Sequence, residues 1–206
     1  ALSIRKTPWG QLAVANLVLS ADYRLPRRTT IEIEGLDRLP DRPVFFAMNH
    51  TDRYNYWPFQ YQLYRAGRGF TAAWVKGKYY ENRLMGWFMD SCTNIPLPSR
   101  GYVITTEFRK QMGRPPNEGE YRGLRDLVDD KAPKGLPDGA QMFLEELGGA
   151  ETFCDAFEIL WTQMVAEVVR LNREALAQGH SPLVFPQGTR SKRLSKGHVG
   201  MAQMSQ

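Results

Sequence analysis

The run Pro43-Val-Phe-Phe-Ala-Met-Asn-His-Thr-Asp-Arg-Tyr-Asn55 decides how the rest of the chain is read. Its first six residues form a short, unbroken apolar stretch, the pattern of a strand covered on both faces. The polar residues Asn49 to Asp52 then end it abruptly. A second run of the same type, Pro182-Leu-Val-Phe185, is followed at once by Pro186-Gln-Gly-Thr-Arg-Ser191. Working outward from these two, residues 53–66 are aromatic-rich and predict a helix stopped by Gly67. Residues 70–75 predict a strand, 78–89 a helix and 93–97 a strand. From Glu151 to Ala177, Phe153, Phe157, Leu160, Met164, Val168 and Leu171 recur at three-to-four spacing, with Gly179 just beyond, so a long helix is expected there. Thr29 to Glu34 alternates and predicts a further strand, closed by Gly35. Strands alternating with helices predict an α/β fold, a largely parallel central sheet flanked by helices.

Residues 99–150 break this rhythm with Pro115-Pro116, Pro133, Pro137 and many glycines. They read as an insertion of short helices and loops between two core elements, a length that points to function or to disorder. The chain thus divides into an amphipathic, membrane-proximal segment over 1–28 and one domain over 29–206.

Composition sets the bounds. A chain of 206 residues with 42% apolar and 12% aromatic side chains can bury one domain's core, which excludes a disordered chain. The two cysteines, Cys92 and Cys154, have no paired spacing, so neither a disulfide framework nor a cysteine-rich zinc site is expected, and a reducing compartment is the default. No cluster of His, Cys and carboxylate has metal-ligand spacing, so no metal is expected. No stretch approaches the roughly 18 apolar residues of a membrane span. Gln11 to Ser20 is interrupted by Asn16 and lacks a cleavage site, so it reads as a surface helix and not as a signal peptide. The net charge of +5 is uneven. Residues 1–28 and 186–206 each carry +4, while 101–160 holds seven basic against twelve acidic residues. Each run is either an ordinary solvated face or part of a polarised surface that suits anionic substrates or an anionic membrane. It is too modest to call for nucleic acid.

Two segments carry chemistry. His50 follows a strand at its carboxyl end, where ligands bind in open α/β sheets, and imidazole suits proton transfer near neutral pH. Asn55 or Asp52 is a candidate to hold the ring in one tautomer. The plainer readings are a structural histidine, and Thr51 or Asp52 as the cap of the next helix. In the second segment, Gly188 lets backbone approach a ligand, Thr189 and Ser191 can donate to phosphate oxygens, and Arg190 offers a two-pronged clamp. The plainer reading is a turn. The aromatic series Tyr54, Tyr56, Trp57, Phe59, Tyr61 and Tyr64 suits a helix packed on the sheet, with the lining of a ligand tunnel as the alternative. His180 and His198 read as incidental.

Together, Asn49-His-Thr-Asp-Arg-Tyr-Asn55 and Phe185-Pro-Gln-Gly-Thr-Arg-Ser191 resemble the first and third motifs of the glycerophospholipid acyltransferase family, which includes lysophosphatidic acid and glycerol-3-phosphate acyltransferases. Ser91 to Gly101 resembles the second, a strand ending in a substrate-binding arginine, for which Arg100 is the match. The resemblance implies that His50 is the general base removing a proton from a glycerol hydroxyl, which attacks the thioester of acyl-CoA or acyl-carrier protein. It implies no acyl-enzyme and no cofactor. Gln187, Gly188, Thr189, Arg190 and Arg100 would bind the acceptor phosphate. The acceptor implied is a lysophospholipid, chiefly 1-acyl-glycerol-3-phosphate giving phosphatidic acid. The setting implied is cytoplasmic, peripheral at the membrane. Two positions depart from the family: Asn55 stands for its Asp and Gln187 for its Glu. Either this chain works with an amide partner, or Asp52 supplies the charge, or the protein is a weak or non-catalytic lipid- or phosphate-binding member of the fold. Family members also continue past the third motif with a helix and a strand, so residues 197–206 are expected to be an unfinished helix and the C-terminal part of the domain incomplete.

Overall fold

Among the described residues, four short parallel strands make one sheet, and their order in space is not their order in the chain. β1 (Phe46–Ala47), β2 (Thr71–Lys76), β3 (Ile95–Leu97) and β4 (Ser181–Val184) lie in the order β1-β4-β2-β3. The last strand in sequence is therefore an inner strand. Leu183 stands opposite Phe46 on one side and Ala73 on the other, and Val184 stands opposite Ala47. β4 is buried along its whole length, as its unbroken apolar character requires. The structure is a computed structural model and describes residues 2–25, 29–52, 54–133, 135–194 and 197. Arg27, Arg28, Lys196 and His198, and all of the expected helix at 197–206 except Gly197, lie outside the described residues.

The helical elements are α1 (Trp9–Ala13), a π-helical stretch Val14–Leu19, α2 (Ser20–Asp22), α3 (Tyr56–Arg65), α4 (Arg83–Ser91), α5 (Arg100–Met112), α6 (Glu118–Val128), α7 (Asp138–Glu146) and α8 (Ala150–Ala177). The predicted helices and three of the four observed strands fall where the apolar patterns put them, within a few residues; β1 is shorter, only Phe46–Ala47. Gly67 and Gly179, both left-handed, stand just beyond α3 and α8.

The chain forms two compact units. The first comprises residues up to 75, 79–96 and from 169 on, and contains nearly all of the sheet. Here Ala15, Leu19 and Tyr61 form a small buried cluster packed by Tyr23, Ile31, Trp57 and Tyr64. Gln11 Nε2 donates to Cys92 O at 2.6 Å, and Trp74 Nε1 donates to Asn172 Oδ1 at 3.0 Å. His180 is buried with Nε2 2.7 Å from Arg5 O, which gives it a structural place tying down the N-terminal strand of chain.

The second unit, 76–78 with 97–168, is helical. It is larger than the expected insertion at 99–150, because Phe153 and Phe157 of α8 join Val103, Ile104, Phe108, Leu124 and Phe143 in one core. The stripe on α8 is thus divided between two cores. Two of this unit's helices carry side-chain caps: Asn117 and Glu120 close a capping box on α6, and Ser99 Oγ accepts from Tyr102 N on α5.

One expected element is absent. Thr29 to Glu34 forms no strand, although Ile31 and Ile33 are half-buried and Thr30, Glu32 and Glu34 exposed, as alternation predicts. Its backbone finds other partners. Thr29 N donates to Tyr23 O at 2.8 Å, and Ile31 O accepts from Gln62 Nε2 at 2.6 Å. The period of two reported burial correctly, and among the described residues no strand pairs with this segment.

Candidate functional site

β1 and β4 are neighbours and parallel, so the segments that follow them leave the sheet side by side at its carboxyl edge. Met48 N still bonds to Val184 O at 2.9 Å, which carries the pairing one residue past β1. Beyond it, Ser191 N donates to His50 O at 2.8 Å, so backbone joins the two motif segments directly. The His50 ring lies on that of Phe185, with centroids 4.2 Å apart and planes 25° from parallel. Tyr56, in the first turn of α3, meets the same phenyl ring edge-on at 5.8 Å. Burial raises the Tyr56 phenol above its usual range, so this wall of the site stays neutral.

His50 Nδ1 is buried and has no hydrogen-bond partner among the described residues, and neither has Asn55 Oδ1. Asn55 Nδ2 donates to Asn49 O at 2.6 Å. Because a carbonyl accepts only, that bond fixes the amide with its nitrogen toward Asn49 and leaves its oxygen as the unused acceptor. A neutral imidazole protonated on Nδ1 needs an acceptor of that kind. The two orphaned atoms are complementary in type, but they do not bond to each other here. Catalytic hydrogen bonds commonly tighten only when substrate is bound.

Asp52 is otherwise engaged. Its Oδ1 accepts from Tyr54 N at 2.6 Å and its Oδ2 from Thr51 Oγ1 at 3.2 Å, on an exposed turn. The backbone bond from Tyr54 chiefly holds its carboxyl below the usual range, and the field of His50 adds a small part. Asp52 therefore caps the turn ahead of α3 and keeps a negative charge within the field of His50.

The loop after β4 turns at Gly188, whose N–H bonds to Phe185 O at 2.9 Å and whose φ of +68° suits glycine. Gln187 is buried and its Nε2 donates to Arg193 O at 3.3 Å, so this amide braces the loop from within. Thr189 and Arg190 are exposed. Arg100 belongs to the helical unit. Its guanidinium binds Asp129 Oδ1 at 2.9 Å and Val128 O at 2.8 Å, and lies over the rings of Trp161 and Phe157. The structure brings together His50, Asn55, Asp52 and the 185–191 loop in one unit and gives Arg100 a structural set of partners in the other.

Phe185 and Tyr56 were not singled out as site residues from sequence. Phe185 stands on the boundary between an apolar strand and a polar loop, and that position was the available signal. Of the aromatic series, Phe59 packs edge-on against Phe46 at 4.9 Å, and Trp57, Tyr61 and Tyr64 belong to the small cluster near Leu19. Those residues are packing; Tyr56 alone of the series reaches the ring beneath His50. A cavity of about 620 Å³ lies among Pro43, Gly69 and Ser181, at the amino ends of the strands and so away from His50.

No known protein family, curated protein or solved structure matches the chain. Among the described residues, no helix is long and apolar enough to cross a membrane.

Proposed function

We propose that the protein is a glycerolipid O-acyltransferase, moving a fatty acyl group from acyl-CoA or acyl-carrier protein to the hydroxyl of a lysophospholipid, chiefly 1-acyl-glycerol-3-phosphate. One observation carries this reading: His50 and the Phe185–Ser191 loop, 135 residues apart in sequence at their nearest, share a ring stack and a backbone hydrogen bond at the carboxyl edge of a parallel sheet. In this reading His50 holds its proton on Nδ1 toward Asn55 and takes the acceptor's hydroxyl proton on Nε2. The alkoxide-like oxygen attacks the thioester carbon, a C–O bond forms, and the C–S bond breaks. The imidazolium returns the proton to the departing thiolate, so no group on the protein is changed. Arg190, Thr189 and the N–H groups about Gly188 hold the acceptor phosphate.

The same reading places the protein on the cytoplasmic face of a membrane, peripherally. It is supported by an exposed apolar face on α4, where Leu84 is 74% and Trp87 55% accessible beside Met85 and Phe88, with Trp9 packed on Trp87 at 4.9 Å. Arg83 opens that helix. Apolar and indole surface bordered by cations fits a lipid interface.

The test is free-thiol release from acyl-CoA or acyl-carrier protein in the presence of lysophosphatidate. His50→Ala is expected to lower the rate at least about hundredfold. Equal rates in wild type and variant exclude His50 as the base. A second reading, a lipid- or phosphate-binding protein without turnover, is favoured by the amide at position 55, which lacks the charge that stabilises an imidazolium. It predicts lysophosphatidate binding that is lost in Arg190→Ala, with no thiol released by wild type.

A further inference from the structure

We propose that Lys192 and Arg193, in the loop after β4, bind the nucleotide phosphates of a coenzyme A thioester, so that this site selects acyl-CoA over acyl-carrier protein as donor. The inference rests on the acyl-transfer reading above. Its starting point is a loop whose backbone is held and whose cations are unanswered. Gly188 N donates to Phe185 O at 2.9 Å, and Ser191 N donates to His50 O at 2.8 Å. Arg193 N donates to Ser191 Oγ at 3.1 Å, and Arg193 O accepts from Gln187 Nε2 at 3.3 Å. These bonds tie the loop to itself and to the segment that carries His50. Arg190, Lys192 and Arg193 are exposed, and among the described residues their side chains make no hydrogen bond or ion pair. Residues 186–206 contain no Asp or Glu. By contrast, Arg100 and Arg125 of the helical unit both bind Asp129, and Arg114 binds Glu120.

Three like charges within the four residues 190–193 repel one another, and a dense anion bound there relieves them. The acceptor brings one phosphate, which Arg190 and the N–H groups about Gly188 hold in the acyl-transfer reading. Lys192 and Arg193 are left over. The thioester donor is the other anion of the reaction, and its two forms differ in their charge. Acyl-carrier protein has a single phosphodiester at the root of its arm and spreads its other charges over a folded surface. Acyl-CoA ends in a diphosphate and a 3′-phosphate within one small group, which adjacent cations on a braced loop suit. Leu194, 77% exposed, continues the same stretch and offers apolar surface to the adenine. Because the loop is bonded to His50 O, a donor held on it lies beside the base. Lys192 and Arg193 thus set donor choice and take no part in proton transfer.

Titration calorimetry of the full chain with coenzyme A tests the subsite without turnover. Wild type is expected to bind coenzyme A about tenfold more tightly than 3′-dephospho-coenzyme A, and Lys192→Ala/Arg193→Ala to lose about tenfold or more of its affinity for coenzyme A. Both loop bonds of residue 193 are made by its backbone, so alanine there leaves the brace in place. Lys192→Gln/Arg193→Gln removes the charge with less loss of side chain, and decides the matter if the alanine protein fails to fold. In thiol release, the double variant should raise KM for acyl-CoA about tenfold relative to KM for the pantetheine thioester of the same acyl chain. No coenzyme A binding by wild type, or equal affinity in wild type and variant, overturns the proposal. So does a KM for acyl-carrier protein that rises as much as that for acyl-CoA. A variant that loses only its retention on anionic vesicles makes the loop a membrane contact, and the donor subsite is then wrong. If wild type binds coenzyme A through these residues but releases no thiol, the acyl-transfer reading fails and the subsite stands. If acyl-carrier protein is turned over while coenzyme A binding ignores the variant, the reading stands and the subsite fails.

Discussion

Glu120 and His50 both hold side-chain atoms out of water, and the protein treats them in opposite ways. Glu120, 2% exposed, has every acceptor used: Arg114 reaches Oε1 at 2.7 Å and Oε2 at 2.8 Å, and Asn117 N reaches Oε2 at 2.7 Å. His50 keeps a buried Nδ1 with no partner among the described residues. A buried polar group left unpaired costs roughly 1–3 kcal/mol, and a folded protein holds few of them. The helical unit is built so that its polar groups are finished within it. The strand-edge segment is built with bonding capacity in reserve, which is what the proposed acyl transfer would ask of His50.

The largest expected effect tests whether the helical unit is there for stability. Phe108→Ala should lower unfolding free energy by about 3–5 kcal/mol, because it empties a fully buried position beside Phe143. Denaturant unfolding measures it, and a loss below about 1 kcal/mol would show that core to be loosely packed. Next comes Glu120→Ala, expected to cost about 2 kcal/mol through the broken capping box and buried hydrogen bonds. This position also has a signature in pH. Hydrogen bonds from Arg114 chiefly hold the Glu120 carboxyl below its usual range, so the folded state binds that proton less readily than the unfolded chain. Its stabilisation is full above the unfolded value, about 4.3, and is lost as pH falls through the lower folded value. Glu120→Gln should flatten the acid side of the stability profile; an unaltered slope there would remove Glu120 from the account.

Asn55→Asp sharpens the contrast from the other side. A carboxylate cannot donate to Asn49 O, so the variant should lose about 1 kcal/mol of stability. It should also raise the acyl-transfer rate by about tenfold or more if position 55 is the partner of His50, by giving the imidazolium a charge. Stability and thiol release measured on one preparation separate the two effects. A rate that is unchanged here but falls in Asp52→Asn would transfer the partner's role to Asp52. The smallest effect on stability is expected for Trp87→Ser, under about 1 kcal/mol, because the side chain is more than half exposed. The same change should reduce retention on vesicles containing anionic lipid, measured by co-sedimentation; undiminished retention would take α4 out of the membrane reading.

How legible these regions were in the sequence follows from the range of the forces involved. β4 could be read because a strand covered on both faces must be apolar throughout, whereas β1, at the sheet edge with Phe46 half-buried and Ala47 exposed, is apolar without being covered on both faces. The stripe on α8 was equally plain, but periodicity states only that a face is buried and not in which core, so the helical unit's reach to residue 168 was not visible. Thr29 to Glu34 shows the same limit, since alternation records which side chains are covered and is silent about a partner strand. At the site, residue type pointed to His50, Asn55 and the 185–191 loop. It also offered Asp52 as a cap ahead of the helix, which is the place the side chain takes, but gave no warning that Gln187 is turned inward to Arg193 O or that Arg100 pairs with Asp129. Those assignments depend on which neighbours the fold delivers, and each of the neighbours is set by tertiary contact.

The strand order carries a consequence for the order of events in making this protein. β1 has β4 as its neighbour in the sheet, and β4 is among the last described parts of the chain. During synthesis, the residues up to 97 can leave the ribosome with the place between β1 and β2 still vacant, and the helical segments follow before β4 arrives to fill it. Loop closure over that many residues is slow relative to local helix formation. The ring beneath His50 and the backbone bond to its carbonyl come with that last strand. A nascent or truncated chain ending before residue 181 would therefore hold its histidine with no floor and no facing loop, and the site would come into being in one late step.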